Sequence, residues 1–422
     1  MSVATDLFRR LSGAEDESLP REASNFLRHA GALALTKSGD GLFDPKLVLS
    51  WLLTALSVPS VFVGLLVPIR EAGALVPQLF IAPRIHAMAE RKWAWVGASV
   101  VQGVMLGLIV LIALTMEGAA AGVGICSALA VLAVARAFAS VSYKDVLGRT
   151  VSAQRRGAAT GLGASVAAVV VIGFALLLMW GFVGRMALVW GALSVAAAAF
   201  LLAALIFAGL RETGEESDET ADRSLRAAFA QMRLLREVPG LARFVVVRGL
   251  LVATSLAPPY LVLLASEAGN AAFERLGALV LASAVASLVS SYVWGRLADR
   301  SSRRVLIYCG LAGAGALCLA LGLRVAGLAG TVWALPLSLF LLMIAYHGVR
   351  QGRSIYLVDM APEGQRLAYS AVANTAIGVL LLGAGVFGAV ASVAGAEVTL
   401  GLFAVMSALA SVVAYGLDEA EE

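Results

Sequence analysis

Charged residues are scarce in this chain of 422 residues: only 14% are Asp, Glu, Lys or Arg, whereas 60% are hydrophobic. A soluble globule of this length does not have enough interior to hide so much apolar surface. A water-soluble fold is therefore excluded, and the composition indicates an integral membrane protein.

Aromatic residues and cysteines are also few. At 7% aromatics, and with long apolar runs that lack period-2 alternation, the chain does not have the pattern of an outer-membrane barrel, whereas its 43 glycines suit close-packed helices. Cys126, Cys309 and Cys318 all lie in apolar sequence. We expect them to be packing residues and predict no disulfide and no metal site.

Several functional motifs are missing from the sequence. It contains no Walker-type phosphate loop, no HExxH and no GxSxG, so we expect neither ATP-driven activity nor an enzyme, and no cofactor. A basic face for nucleic acid is also missing. The first 25 residues are polar and mixed in charge, unlike a cleavable signal, so we expect the start of the chain to stay in the cytoplasm.

Apolar segments divide the chain into twelve predicted membrane spans, each of about 20 residues or more. They cover residues 26–56, 60–88, 93–115, 120–143, 157–183, 186–209, 241–265, 274–297, 303–325, 331–356, 367–392 and 396–416. Basic residues concentrate in alternate links, and by the positive-inside rule these links and both termini are cytoplasmic. We therefore predict a multi-pass protein of the inner (plasma) membrane, surrounded by lipid.

A polar segment, residues 210–240, separates six spans from six. Leu225, Phe229, Met232 and Leu235 recur in it at helical spacing, which predicts an amphipathic helix on the cytoplasmic face. It is either a solvated linker helix or a regulatory element. The predicted organisation is a cytoplasmic segment 1–25, a six-helix bundle 26–209, the linker 210–240, a second bundle 241–416 and an acidic tail 417–422.

Two landmarks recur along the chain. The charged segment from Gly295 to Arg304 has a counterpart between Arg84 and Lys92, roughly 212 residues earlier, and Gln154-Arg155 recurs as Gln365-Arg366, 211 residues later. The near-equal offsets predict two parallel repeats related by an axis along the membrane normal.

The second copy of the first landmark reads Gly295-x-Leu297-Ala298-Asp299-Arg300-x-x-Arg303-Arg304 and lies between the eighth and ninth spans. It resembles the signature loop of the major facilitator superfamily. The resemblance covers nearly the whole chain, and it implies that superfamily's all-α membrane fold of twelve transmembrane helices in two six-helix parallel repeats.

The resemblance also implies a gating loop, for which the candidates are Gly295, Asp299, Arg300, Arg303 and Arg304. Ser302 stands where the family pattern has its second glycine, and Ala87 stands where the first copy would have its acid. We therefore expect an asymmetric latch centred on Asp299, since an acid can pair with arginines only while the cytoplasmic ends are together. The alternative is that the arginines are an orientation signal alone.

The first two spans hold six charges: Lys37, Asp40, Asp44, Lys46, Arg70 and Glu71. Each isolated charge near the bilayer centre costs about 2.5–3.5 kcal/mol, so these side chains should pair or face a wet cavity. Counting depth from a turn at residues 57–59 predicts the pairs Asp44–Arg70 and Lys46–Glu71. A competing interpretation makes residues 47–69 one span and puts Arg70 and Glu71 in the outer loop. The repeat offset favours the first interpretation, with a turn at residues 57–59.

In the resembling family, spans 1, 4, 7 and 10 line the cavity, and here the last three add polar candidates. Arg353 is predicted to be an interface anchor, Arg248 is either a ligand or a snorkelling residue, and His347 serves either packing or proton handling. The complete predicted substrate or proton site comprises Lys37, Asp40, Asp44, Arg70, Glu71, Arg136, Arg248, Tyr260, Tyr346, His347 and Arg350.

The expected function is alternating-access secondary transport of a small solute by a monomer. Plentiful cationic side chains favour an anionic or zwitterionic solute, and Asp40 and Glu71 are the first candidates for a proton site. The alternative is a non-transporting membrane protein of the same fold that acts as an assembly factor or as a lipid- or pigment-handling scaffold.

Overall fold

The protein is helical throughout the part of the chain that the computed structural model describes, residues 20–181, 183–212, 232–268, 275–298, 300–362 and 365–419. The first half contains α1 (Pro20–Phe43), α2 (Val48–Ala55), α3 (Ser60–Leu75), α4 (Gln78–His86), α5 (Lys92–Thr115), α6 (Gly118–Thr150), α7 (Ala153–Trp180) and α8 (Arg185–Ala208). The second half contains α9 (Leu234–Glu237), α10 (Pro239–Leu251), α11 (Ala253–Leu256), α12 (Pro258–Glu267), α13 (Leu276–Ala298), α14 (Ser302–Val325), α15 (Ala334–Met360), α16 (Arg366–Gly383) and α17 (Val386–Tyr415).

Seven segments of these described ranges are long and apolar enough to cross a membrane. They lie in α5, α6, α7, α8, the consecutive helices α10 to α12, α14 and α17. The chain is therefore a multi-pass membrane protein, because no compact soluble domain carries so many such helices.

The first predicted span is broken between α1 and α2. Pro45 cannot donate a backbone hydrogen bond, and the chain turns there instead of continuing the helix. The Asp44 carboxylate accepts a hydrogen bond from the backbone N–H of Lys46 at 2.9 Å, and the Asp44 carbonyl accepts one from Leu49 N–H at 3.1 Å. The break therefore places two charged residues beside unwound backbone.

A tight turn follows α2. Ser57 has a φ of 54°, and α3 begins at Ser60 directly after Pro59. Arg70 and Glu71 consequently lie inside α3, and the interpretation that placed them in an outer loop is wrong. Gly395 makes a similar turn within α17, with a φ of 88° that favours glycine.

The two halves meet at the end of the bundle that carries these two turns, which we call the turn end. A Cβ on Gly64 would lie 2.4 Å from Cα of Gly388, and one on Gly277 would lie 2.8 Å from the carbonyl oxygen of Ala175. Small residues thus let helices of opposite halves approach backbone to backbone.

The opposite end, which we call the basic end, has polar contacts that hold the helices of the first half together. Glu22 accepts hydrogen bonds from Ser152 N–H and the Arg155 guanidinium, both at 3.1 Å. Burial alone would raise the pKa of Glu22, but these hydrogen bonds and the nearby charge lower it below the usual value. Arg91 likewise pairs with Asp145 in the first half.

The predicted amphipathic helix of the linker falls mainly outside the described residues. Of its apolar positions, Leu225 and Phe229 lie there, whereas Met232 precedes the short helix α9 and Leu235 lies within it. Both of these side chains pack against the hydrophobic core.

Candidate functional site

A cavity of about 580 Å³ lies between the two halves. Its walls come from α1, α3, α6 and α7 of the first half and from α13 and α15 of the second. Nine predicted site residues line it: Lys37, Asp40, Asp44, Arg70, Glu71, Arg136, Tyr346, His347 and Arg350. The folded chain therefore brings together polar residues from four separate helices and from the α1–α2 break in a volume suited to a small solute.

Asp40 is the centre of an ion-pair cluster. Its carboxylate accepts a hydrogen bond from Arg70 at 3.0 Å and another from Arg136 at 2.6 Å. The three side chains come from α1, α3 and α6, so the cluster ties three helices of the first half together. Hydrogen bonds between ions are roughly twice as strong as neutral ones.

The predicted pairing of these charges was wrong in its partners. Arg70 pairs with Asp40 and not with Asp44, whose carboxylate caps the α1–α2 break instead. Glu71 forms no ion pair with Lys46, and among the described residues its carboxylate forms no hydrogen bond or ion pair at all. The six charges do line one cavity, but counting depth along two helices did not give their partners.

Lys46 instead reaches across to the second half. Its ammonium nitrogen lies 3.4 Å from the centroid of the Tyr346 ring, and the residue is only 8% exposed. A cation over an aromatic face is worth roughly 2 kcal/mol when it is desolvated. This contact joins the α1–α2 break to α15 across the cavity.

Positive charge exceeds negative charge in the cavity wall. Six cationic residues line it, because Lys46 and Arg353 join Lys37, Arg70, Arg136 and Arg350, against the three carboxylates of Asp40, Asp44 and Glu71. Arg353 was predicted to be an interface anchor and is a cavity residue. Its position three residues after Arg350 and seven after Tyr346 places all three on one helical face, a signal that the sequence contained.

Comparison with known proteins shows which family the chain is similar to. Residues 249–422 match the family model of the Major Facilitator Superfamily. The second half of the chain is therefore similar to members of that superfamily. No curated protein sequence matches the chain.

Solved transporters share this fold over nearly the full length. A structure of the nucleoside transporter NupG, in a mutant form, is 13% identical and covers 93% of this chain and 100% of its own, with a TM-score of 0.68. A D-xylose-proton symporter is 12% identical, covers 94% and 98% of the two chains, and has a TM-score of 0.67. The xylose transporter XylE from E. coli, in a partially occluded inward open conformation, is 13% identical, covers 95% and 99%, and has a TM-score of 0.65.

Two predicted site residues of this major facilitator fold lie away from the cavity wall. Arg248 is 5% exposed and donates a hydrogen bond to the Asn374 side chain at 2.9 Å, so it joins α10 to α16. Tyr260 is 1% exposed and packs against Phe403. Ser283 and Ser287 of α13, which the sequence reasoning missed, line the cavity; a serine in an apolar helix carries no signal that separates packing from lining.

The predicted gating loop is described only in part, since Asp299 lies outside the described residues. Gly295 falls near the end of α13, and Arg300 is exposed. Arg303 pairs with Glu419 at 2.9 Å, while the Arg304 guanidinium lies 4.0 Å from the same carboxylate. The loop arginines thus contact the segment that follows α17 within the second half, and the latch remains a prediction.

The described part of the chain contains no candidate metal site, since no group of three or more His, Cys, Asp or Glu residues there could hold an ion.

His347 lies next to Tyr346 in the cavity wall, with ring centroids 5.2 Å apart.

Proposed function

We propose that the protein is a secondary active transporter that moves a small solute, anionic or zwitterionic, across the inner membrane by alternating access. The observation that carries this proposal is the charged cavity, which takes its walls from both halves of a major facilitator fold. A site shared by two bodies can face either side of a membrane when the bodies rock against each other.

The arrangement in the membrane that we propose has twelve spans in two six-helix repeats, with both termini cytoplasmic. The breaks at Pro45 and Pro77 and the three short helices α10 to α12 support it, because each lies inside one apolar stretch that is long enough to span a bilayer. In this arrangement the turn end is external, and the glycine contacts there correspond to an inward-facing state.

Proton coupling is the second part of the proposal, with Asp40 and Glu71 as candidate carriers. Asp40 could release or take up a proton only by disturbing two guanidinium contacts, at 3.0 Å and 2.6 Å. Glu71 has no ion-pair partner within the described chain, although it faces the cationic side chains of the cavity. The geometry therefore favours Glu71 as the carrier. The D-xylose-proton symporter among the structural neighbours is consistent with coupling of this kind.

The test uses purified protein in proteoliposomes and a solute selected by thermal-shift screening. We expect an inward proton gradient to raise solute accumulation in the wild-type protein. Glu71→Gln should abolish that gradient effect while leaving solute exchange without a gradient, because an amide cannot carry the proton. Glu267→Gln serves as the matched control, since Glu267 ends α12 away from the cavity wall.

Two results would contradict the proposal. If the pH dependence of flux is unchanged in both Asp40→Asn and Glu71→Gln, neither carboxylate is the proton site. If folded wild-type protein takes up none of the solutes that stabilise it, the non-transporting assembly factor or lipid- or pigment-handling scaffold becomes the better account.

A further inference from the structure

Four of the six cations of the cavity wall form no ion pair with a carboxylate among the described residues. Lys46 lies over the Tyr346 ring instead, and the other three are Lys37, Arg350 and Arg353. Lys37 of α1 donates only one hydrogen bond there, to the carbonyl oxygen of Thr160 at 3.2 Å. Arg350 is exposed to the cavity, and Arg353 follows it by one turn of α15. Neither arginine forms an ion pair within the described part of the chain, whereas Arg70 and Arg136 share Asp40.

Arg350 repels both of the other cations. At Lys37 this repulsion is greater than the attraction of Asp40, whereas at Arg353 the attraction of Glu71 is greater than the repulsion by Arg350. Lys37 belongs to the first half and Arg350 to the second, so the repulsion between these two acts between the halves. Like charges held a few ångströms apart in a partly desolvated cavity cost free energy that an anion between them would recover.

We propose that Lys37, Arg350 and Arg353 form an oxyanion subsite shared by the two halves, and that the transported solute carries a carboxylate or phosphate group that binds there. This rests on the proposed transport function and names the chemical class of its solute. A guanidinium presents a planar fork of donors that matches the two oxygens of a carboxylate or a phosphate, and a lysine adds a point charge.

The same subsite gives the solute a means of driving the conformational change. Without an anion, repulsion between Lys37 and Arg350 opposes the approach of α1 and α15. A bound oxyanion turns that repulsion into attraction on both sides and so favours the state in which the halves close around it. A ligand can shift an equilibrium only through such a difference in affinity between two states.

The first experiment measures the selectivity of the cavity without any solute. A thiol is placed in the wall by Ser283→Cys in a Cys318→Ser background, because Cys318 is exposed while Cys126 and Cys309 are buried. Modification rates are compared for a negatively charged sulfonate methanethiosulfonate and a positively charged trimethylammonium one. We expect Lys37→Gln and Arg350→Gln each to lower the anion-to-cation rate ratio at least about threefold.

Two controls separate charge from structure. Arg350→Lys keeps the charge and should keep most of the ratio. Arg324→Gln removes an arginine that pairs with Glu397 at 2.8 Å outside the cavity, and it should leave the ratio unchanged. A ratio that stays the same in both Lys37→Gln and Arg350→Gln would overturn the subsite.

The second experiment measures anion binding to the purified full-length protein by thermal stability, with sodium phosphate, sodium succinate and uncharged glycerol at constant ionic strength. We expect phosphate, succinate or both to stabilise the protein and glycerol to have no effect, with apparent affinity at least about tenfold weaker in Arg350→Gln. A response to phosphate alone would assign the phosphate class, and a response to succinate alone the carboxylate class. Stabilisation by neither anion, or equal affinity in Arg350→Gln, would contradict the proposal.

Failure of the subsite and failure of the transport function give different results. An anion-to-cation rate ratio that is unchanged in both Lys37→Gln and Arg350→Gln, with proton-driven uptake intact, would disprove the subsite and leave the transporter. Intact selectivity and anion binding without uptake of any bound solute would leave the subsite and disprove the transporter.

Discussion

Asp40 holds together the first half of the cavity wall. It contacts Arg70 and Arg136 from two other helices, and all three side chains are partly shielded, with relative exposures of 21%, 12% and 36%. Removing one member of such a cluster leaves the others partly buried without their counter-charge. That penalty exceeds the net stabilisation that the intact pairs contribute.

Asp40→Asn should therefore destabilise the protein. We expect a loss of about 3 kcal/mol in the free energy of unfolding, measured as a lower melting temperature of the purified protein. Glu397→Gln removes the acid of an exposed pair with Arg324 and should cost only about 0.5 kcal/mol. Equal shifts in the two variants would show that the Asp40 cluster is solvated and contributes little.

At the scale of elements, interruptions shape the helices that surround the cavity. Pro45, Pro77 and the positive φ of Gly395 divide long apolar stretches into shorter helices. Glycines at the turn end have a different role, because they allow α3 and α17 to touch through their backbones. Gly64 and Gly388 have no space for a side chain at that contact.

Gly64→Leu should force the halves apart at the turn end. The added side chain meets the Cα of Gly388, which cannot move as a flexible side chain would. We expect the Ser283→Cys thiol to react about tenfold faster with a membrane-impermeant reagent added outside cells, equivalent to a shift of ~1.4 kcal/mol toward the outward-open state. Gly107→Leu is the matched control, since nothing lies within 4 Å of a Cβ there. Equal rates in the two variants would show that the contact between Gly64 and Gly388 does not close the turn end.

At the scale of the whole molecule, the asymmetry of basic residues predicts the orientation in the membrane. Lys92, Arg149 and Arg155 all lie at the basic end, whereas the link at Glu117 between α5 and α6 carries no basic residue. The membrane insertion machinery retains basic links on the cytoplasmic side.

Alkaline phosphatase fusions test this orientation, because the enzyme is active only outside the cytoplasm. We expect a fusion after Glu117 to be active and a fusion after Glu212 to be inactive. The opposite pattern would show that the topology is inverted. The conformation described here would then be outward-facing.

Much of the fold could be predicted from local sequence. The predicted span 186–209 is α8 at Arg185–Ala208, and the predicted span 303–325 is α14 at Ser302–Val325. Hydropathy succeeds because the insertion of each segment depends on its own transfer free energy. Gly395 lies between the predicted spans 367–392 and 396–416, and its φ of 88° interrupts α17 there, since glycine tolerates that φ.

Most residues of the candidate site could be predicted from the sequence, but the direction in which each helix turns its side chains could not. Arg248 and Tyr260 were assigned to the cavity from the order of their spans, yet both face neighbouring helices. Knowing which helix lines a cavity does not give the rotation of that helix about its axis. Arg353 was missed for the same reason, although its spacing from Tyr346 carried the signal.

The sequence by itself determined the membrane environment, the positions of most helices and the presence of charges that needed partners or water. Only the tertiary structure decided that Arg70 and Arg136 share Asp40, that Lys46 lies on Tyr346, and that Lys37, Arg350 and Arg353 have no acid among the described residues. Membrane insertion is a sum of local transfer free energies, whereas an ion pair depends on where three or four distant helices place their side chains. The charge imbalance of the cavity therefore becomes visible only once those helices are packed together.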